Sequence, residues 1–306
     1  MRKCILTSAL IMNKIVDAAY DGEDPVFGNI SDTACWVAAL RALETERLDA
    51  CFRDPLAKKL AGSRGQEMIR IMPNRKTAAW AIALRTCAID DLLLKTLGSN
   101  PSVDMVLNLA AGLDSRPYRL DLPPTLKWIE VDLPEIMAYK SHKLKNELPR
   151  CQLERVALDL SDVKKRRDLF QRVNSEAKSV FVITEGLLIY LNEEMVADLA
   201  GDLKLPNFHW WVQEFCSDKM VFWMKFHFNR ELDKLNAPLQ FGVSGGPEYY
   251  EKLGWNIAEY RSTADEARIL GRKRFLWRIW NSFDKVIPKR IQDYFGKISG
   301  YLLLSR

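Results

Sequence analysis

The residues best placed for chemistry sit where apolar runs stop. Residues 103–109 form an almost unbroken apolar segment that ends at Ala110-Ala111-Gly112. A strand covered on both faces reads this way. Small residues at its carboxyl end let a ligand approach the backbone closely. The turn after the first strand of an open α/β sheet is where nucleotide-like cofactors bind. Further on, LKWIEVD reads as a second strand ending in Glu130 and Asp132. An acid there can accept both hydroxyls of a ribose, and Asp132 is the candidate, with Glu130 as the alternative. A third carboxylate, Glu185, directly follows the apolar run SVFVIT. At the end of a central strand it faces the ligand crevice, because a core glutamate without a partner would be rare.

These groups need a sheet to hold them. The patterning predicts strands at 103–109, 126–132, 151–158, 179–184, 207–215, 256–260 and 300–306. It predicts a helix over 31–47 capped by Asp32 or Thr33, with Trp36, Val37, Leu40 and Leu43 on its apolar face. Asp54-Pro55 marks a second helix start. A long helix spans 75–97 and is closed by Gly98, and another spans 134–146. Asp162 is a good N-cap for the helix after the third strand. The division expected is a helical cap over 1–98 and a core over 99–306, with a lid insertion at about 217–250. Arg41 is the one strong cation on an otherwise apolar cap face; a solvated charge and a contact to substrate or cofactor are equally open. Of Asp90 and Asp91, one orients a neighbour and the other caps or faces solvent.

The run NLAAGLDSRPYRL resembles the NLGAGLDTRxYRL signature of the leucine carboxyl methyltransferase-like proteins, a branch of the class I S-adenosylmethionine (SAM) methyltransferases. The bacterial arm of that family includes polyketide and other small-molecule O-methyltransferases. SDTACWVAALRALE, RDPLAKKLAG, LRTCAIDDLL, ITEGLLIYL and Gly254-Trp255 resemble further family segments in the same order. The resemblance implies an α/β Rossmann-like fold with a seven-stranded sheet, its last strand antiparallel, plus a helical N-terminal cap. It implies SAM as cofactor. Arg85 would grip the methionine carboxylate, which suits a fork that makes two parallel hydrogen bonds. Asp159 and Leu160 would hold the adenine, Gly112 would line the cofactor loop, and Glu185 would touch the amino group or orient the pocket. Tyr190 would line the methyl-transfer site. The family usually has Gly where this chain has Ala110, and that methyl group narrows the space for the cofactor's amino-acid end. Phe222, Trp223, Phe226 and Phe228 belong to the expected lid over the substrate, with Phe222 as a substrate contact.

The expected reaction is methyl transfer to oxygen of a small-molecule carboxylate or phenol. A carboxylate is already ionised and needs no general base. None of His142, His209 and His227 falls in a family motif, so no catalytic base is assigned. Methylation of a protein C-terminal carboxylate is the alternative. An NAD-dependent dehydrogenase is disfavoured because no GxGxxG follows the first strand, and a non-catalytic binder has only Ala110 in its favour. Composition bounds the rest. A net charge of +5 does not by itself call for nucleic acid. The six cysteines contain no CxxC pair, which points to reduced thiols in a cytoplasmic protein and to no metal site. MRKCILTSALIMNK is read as a docked or frayed helix rather than a signal peptide. Residues 272–290 are basic with interleaved aromatics and are read as a solvated helix face, a membrane surface or nucleic acid being the lesser reading.

Overall fold

The computed structural model describes residues 30–71, 75–234, 238–272 and 296–306. The N-terminal segment and most of the basic aromatic stretch therefore lie outside the described residues, as does the side chain of Phe228. The chain opens with helices α1 (Ile30–Thr45), α2 (Ala57–Ile71) and α3 (Arg75–Ser99). Then come β1 (Met105–Leu109), α4 (Arg116–Arg119), β2 (Lys127–Asp132), α5 (Pro134–Lys143), β3 (Gln152–Ala157), α6 (Val163–Glu176) and β4 (Val180–Thr184). A 3-10 turn at Leu188–Tyr190 leads to α7 (Glu193–Asp202), β5 (Phe208–Cys216), α8 (Asp218–Lys234) and α9 (Tyr249–Lys252). The chain closes with β6 (Asn256–Ser262), α10 (Thr263–Ile269) and β7 (Ser299–Ser305).

The strands form one seven-stranded sheet in the order β3-β2-β1-β4-β5-β7-β6. The first five are parallel, and β7 runs antiparallel between β5 and β6. Parallel strands must be covered on both faces, and the side-chain alternation of β1 shows how. Met105, Leu107 and Leu109 join Ile129, Val182 and Trp211 in a cluster with Leu169, Phe170 and Val173 of α6 and Val196 and Leu199 of α7. Val106 points the other way, into a cluster with Trp128, Phe181 and Val212 that α3 closes with Leu84, Ala88, Ile89, Leu92 and Leu93. The helix that ends near the expected boundary at 98 thus shares a core with the sheet. α1 and α2 pack against each other in a separate cluster with Leu113, Tyr139 and Leu144, which touches Ala78, Ala79 and Ile82 at the start of α3.

Three local expectations are corrected. Asp32 and Thr33 lie inside the first turn of α1, which begins at Ile30; buried Asp32 accepts hydrogen bonds from Arg64 of α2 at 2.9 and 2.5 Å instead of capping. Gly98 lies inside the last turn of α3 with no left-handed backbone, and the Asn100 amide closes the helix on the Thr96 carbonyl at 2.9 Å. α5 stops at Lys143, short of 146. Asp162 does cap α6, accepting from the Lys165 amide.

The two acids of β2 have different surroundings. Glu130 is fully buried and pairs with Lys140, itself fully buried, at 2.8 Å and with Arg155 at 3.0 Å. Burial pulls the Lys140 amine below its ordinary value, although Glu130 opposes it. Glu130 is thus a core ion pair and Asp132 is left for the crevice. Breaking such a pair from one side costs about 3–5 kcal/mol, whereas replacing it with apolar groups is often near neutral. Glu130→Met, which strands both cations, should therefore lower stability in urea far more than Glu130→Met combined with Lys140→Met and Arg155→Met. Equal losses in the two proteins would show that the ion pairs are not what Glu130 contributes.

Candidate functional site

The carboxyl ends of β1, β2, β4 and β5 open into a cavity of about 700 Å³. Its floor is the turn after β1. Ala110 takes φ 53 and Gly112 φ 48, so the backbone is left-handed twice in three residues. Glycine adopts that conformation freely, whereas alanine pays roughly 1–2 kcal/mol for it. Position 110 is where the resemblance calls for Gly, and the structure shows the physical reason. The turn is tied down from several sides. The Ala111 amide donates to the Val131 carbonyl at 3.1 Å, and the Gly112 amide donates to Asp132 Oδ2 at 2.6 Å. Asp132 Oδ1 accepts from the Leu133 amide at 2.7 Å. Burial raises the Asp132 carboxyl above its usual range, with the two amides working against that. Asn108, a buried amide in an apolar strand, donates to Asp114 Oδ2 at 2.8 Å.

Above the turn lies a buried ion-pair network. Arg116 is only 2% exposed. Its Nε donates to Asp90 at 2.6 Å, and its Nη1 donates to Asp114 at 2.9 Å and to Glu185 at 2.6 Å. Arg119 grips Asp90 through both Nη atoms at 2.5 and 2.9 Å. Glu185 then meets Arg85, with Nε 2.7 Å from Oε1. Arg85 Nη1 also faces Glu214 of β5 at 3.2 Å, and Glu214 accepts from the Gly186 amide at 2.8 Å. Burial alone would push the Glu185 carboxyl up, but Arg116 and Arg85 outweigh it and hold the group below its usual range. The same opposition holds Asp114 well below its ordinary value, chiefly through Arg116.

The cavity wall includes Arg41, Arg85, Ala110, Gly112, Asp132, Glu185 and Tyr190 of the residues singled out in the sequence. Arg41 is neither solvated nor unpaired. It is 6% exposed, and it donates to Asp54 at 2.9 Å and to the Leu113 carbonyl at 2.6 Å, so it anchors the cofactor-type turn to the cap. Asp159 and Leu160 lie outside this wall, just past the end of β3. Asp159 is exposed and accepts from the Ser161 amide at 2.9 Å, and the Leu160 carbonyl accepts from Arg166 at 3.1 Å. Phe222 is 73% exposed and also lies outside the wall. α8 turns Met220, Trp223 and Met224 toward the cavity instead, since residues three and four apart share a helix face. Asp90 orients Arg116 and Arg119, while Asp91 pairs with Lys95 at 2.8 Å and Arg261 at 2.7 Å.

Arg116, Asp114 and Glu214 received no role from the sequence. The first two stand inside the quoted NLAAGLDSRPYRL run, and a charged pair in so apolar a context was the available signal. Glu214 is the lone acid of the aromatic strand FHWWVQEFC, and its place at a carboxyl end could have drawn notice by the argument that selected Glu185.

The class follows from the sheet order, the antiparallel strand inserted between β5 and β6, and the cavity at the parallel strands' carboxyl ends: this is the α/β fold of the class I methyltransferases. The family model for leucine carboxyl methyltransferase matches residues 34–203, more than half of the chain, and the chain belongs to that family. A protein of Streptomyces avermitilis is 38% identical over 180 residues, which is 54% of this chain and 60% of its own. A protein of Frankia alni is 36% identical over 182 residues, 55% of this chain and 61% of its own. Their names assign both provisionally to the S-adenosyl-L-methionine-dependent methyltransferases. The chain thus spans about three fifths of the length of these curated relatives. A crystal structure of a DUF574 family protein from Streptomyces avermitilis superposes with TM-score 0.53 at 13% identity, covering 88% of this chain and 96% of that one. A Thermobifida fusca structure, titled provisionally as a methyltransferase, gives 0.52 at 14% identity, covering 92% and 96%. These two likenesses show the fold.

Ala110→Gly relieves the left-handed strain of about 1–2 kcal/mol and loosens the unfolded chain by about 0.4–1 kcal/mol. The expected outcome is a net gain in stability of about 0–1.6 kcal/mol by those figures, read as a higher denaturation midpoint. A lower midpoint would mean that the turn carries no strain at position 110.

Proposed function

We propose that this chain is a SAM-dependent O-methyltransferase acting on a small-molecule carboxylate or phenol. One observation carries the reading. A single cavity is lined by the Gly112–Asp132 corner, the Arg85–Glu185 pair and the apolar side chains of Trp36, Met220, Trp223, Met224 and Phe241. Its volume lies in the range of pockets that enclose drug-sized ligands.

The residues fit the cofactor on structural grounds. The left-handed turn exposes its backbone to the cavity. Each Asp132 oxygen uses one amide contact, and an ionised carboxylate has about four acceptor positions, which leaves some for the ribose hydroxyls. The contacts of Arg85 to Glu185 and Glu214 use Nε and Nη1, so the Nη2 edge is the prong for the methionine carboxylate. Thr86 Oγ1 is buried in this wall without a hydrogen-bond partner. Bound SAM supplies an activated sulfonium methyl. The protein's share is then to align the acceptor oxygen and exclude water, and positioning alone can carry much of such a rate enhancement.

No histidine is among the described residues of the wall. Burial pushes the Cys216 thiol up to about 12 and raises the Tyr190 phenol, so neither is an available base at neutral pH. A carboxylate acceptor arrives ionised and needs no base. A phenol must give its proton to water or to a wall carboxylate. The family's own description favours a second reading, a protein C-terminal carboxylate. Assaying methyl transfer to free aromatic acids and phenols against a peptide with a C-terminal leucine separates the two. Transfer to the peptide alone would overturn the small-molecule reading.

Asp132→Ala should weaken SAM binding by roughly 1.5–3 kcal/mol, the scale of a hydrogen bond to a charged group, measured by calorimetric titration. Undiminished affinity would remove Asp132 from the cofactor site. Arg85→Lys keeps the charge but loses the planar guanidinium that can face Glu185, Glu214 and a ligand carboxylate at once. It should raise KM for SAM and weaken inhibition by S-adenosylhomocysteine by a similar factor, with turnover at saturation changed less. A fall in turnover with unchanged SAM affinity would place Arg85 on the acceptor side.

A further inference from the structure

The network above the turn is not electrically balanced. Its members, linked contact by contact, are the guanidiniums of Arg85, Arg116 and Arg119 and the carboxylates of Asp90, Asp114, Glu185 and Glu214. Three cations face four anions. The surplus falls at one end. Arg116 and Arg119 contact Asp90, Asp114 and Glu185, which leaves Arg85 shared between Glu185 at 2.7 Å and Glu214 at 3.2 Å. Glu214 is also the most open of the four acids, with its side chain 28% exposed, against 13% for Glu185, 11% for Asp90 and 10% for Asp114.

We infer that Glu214 is a specificity residue whose incompletely compensated negative charge makes the cavity prefer the positively charged sulfonium form of the cofactor over its neutral thioether product. SAM and S-adenosylhomocysteine share the ribose, the adenine and the zwitterionic amino-acid end. They differ by one methyl and one positive charge. A carboxylate in a cavity of reduced dielectric interacts with that added charge and with nothing else that distinguishes the two. The division of labour is then clear: Arg85 and Asp132 hold what both molecules share, and Glu214 reads what changes in the reaction. Neighbouring cavity groups report the same field. The Cys216 thiol and the Tyr301 phenol are raised first by burial and next by Glu214, with Arg85 opposing. The effect suits turnover, since methyl transfer removes the positive charge and with it the extra hold on the product.

This inference rests on the cofactor assignment above, and the experiment separates the two. SAM, S-adenosylhomocysteine and sinefungin, whose protonated amine restores a positive charge at the reacting centre, are titrated calorimetrically into the wild type, Glu214→Gln and Glu214→Asp. Glutamine is isosteric and can still accept from the Gly186 amide, so the turn is kept. Glu214→Gln should lose about tenfold in affinity for SAM and sinefungin and less than twofold for S-adenosylhomocysteine, and Glu214→Asp should recover most of the preference. The unfolding midpoint of each variant, measured without ligand, checks that the fold is intact. Equal losses for all three ligands, or no loss for any, would overturn the inference and make Glu214 a strut for Gly186 and Arg85. A wild type that binds none of the three would overturn the cofactor assignment itself, and this inference with it.

Discussion

Arg116 sits almost wholly out of water between three carboxylates drawn from three parts of the chain: Asp90 on α3, Asp114 in the turn after β1, and Glu185 at the end of β4. A buried guanidinium is tolerable only when its donors are matched, and removing any one partner leaves a charge stranded in a medium that cannot solvate it. That requirement fixes the relative positions of α3, the turn after β1 and the tip of the neighbouring strand. All three elements line the cavity. Its charged wall is held by directional ion pairs, whereas apolar packing is non-directional and supplies the bulk of the stability.

The same logic separates the acids. Glu130, Asp132 and Glu185 all end apolar strands, and their surroundings give them different work. Glu130 alternates toward α5 and is neutralised by Lys140 and Arg155 within the core. Asp132 comes two residues later, where the strand leaves the sheet, and its partners are backbone amides of the turn. Amides satisfy a carboxylate without neutralising it, so Asp132 keeps both its charge and spare acceptor positions for a ligand. Glu185 is paired with arginines, which makes it an organiser of the wall as much as a part of it.

The cavity wall combines charged side chains from the strand ends with methionine and aromatic side chains, several from α8, whose outer face leaves Phe222 and Phe226 in solvent, 73% and 80% exposed. Long flexible side chains such as Met220 and Met224 adapt to ligands of varied outline. Among the described residues, no helix is long and apolar enough to cross a membrane.

The strands were legible in the sequence, because a sheet covered on both faces leaves continuous apolar runs whose ends mark the crevice. Gly112, Asp132 and Glu185 were legible for the same reason: each stands at such an end. Arg85 and Tyr190 came into view through motif resemblance, and the position of Ala110 acquired its meaning only when the backbone showed a left-handed turn there. Tertiary structure decided the rest. Whether Arg41 was solvated or buried could not be read from its own helix, because its partners, Asp54 and the Leu113 carbonyl, lie beyond it in the chain. Which lid aromatics face inward depended on the rotation of α8 over the cavity, and that is set by what it packs on. Glu214 became part of the site because β5 lies beside β4, with Gln213 in register with Thr184, so that the next residue on each strand is a glutamate facing the same arginine. Charge pairing across strands is a property of sheet order, and local sequence carries no record of sheet order.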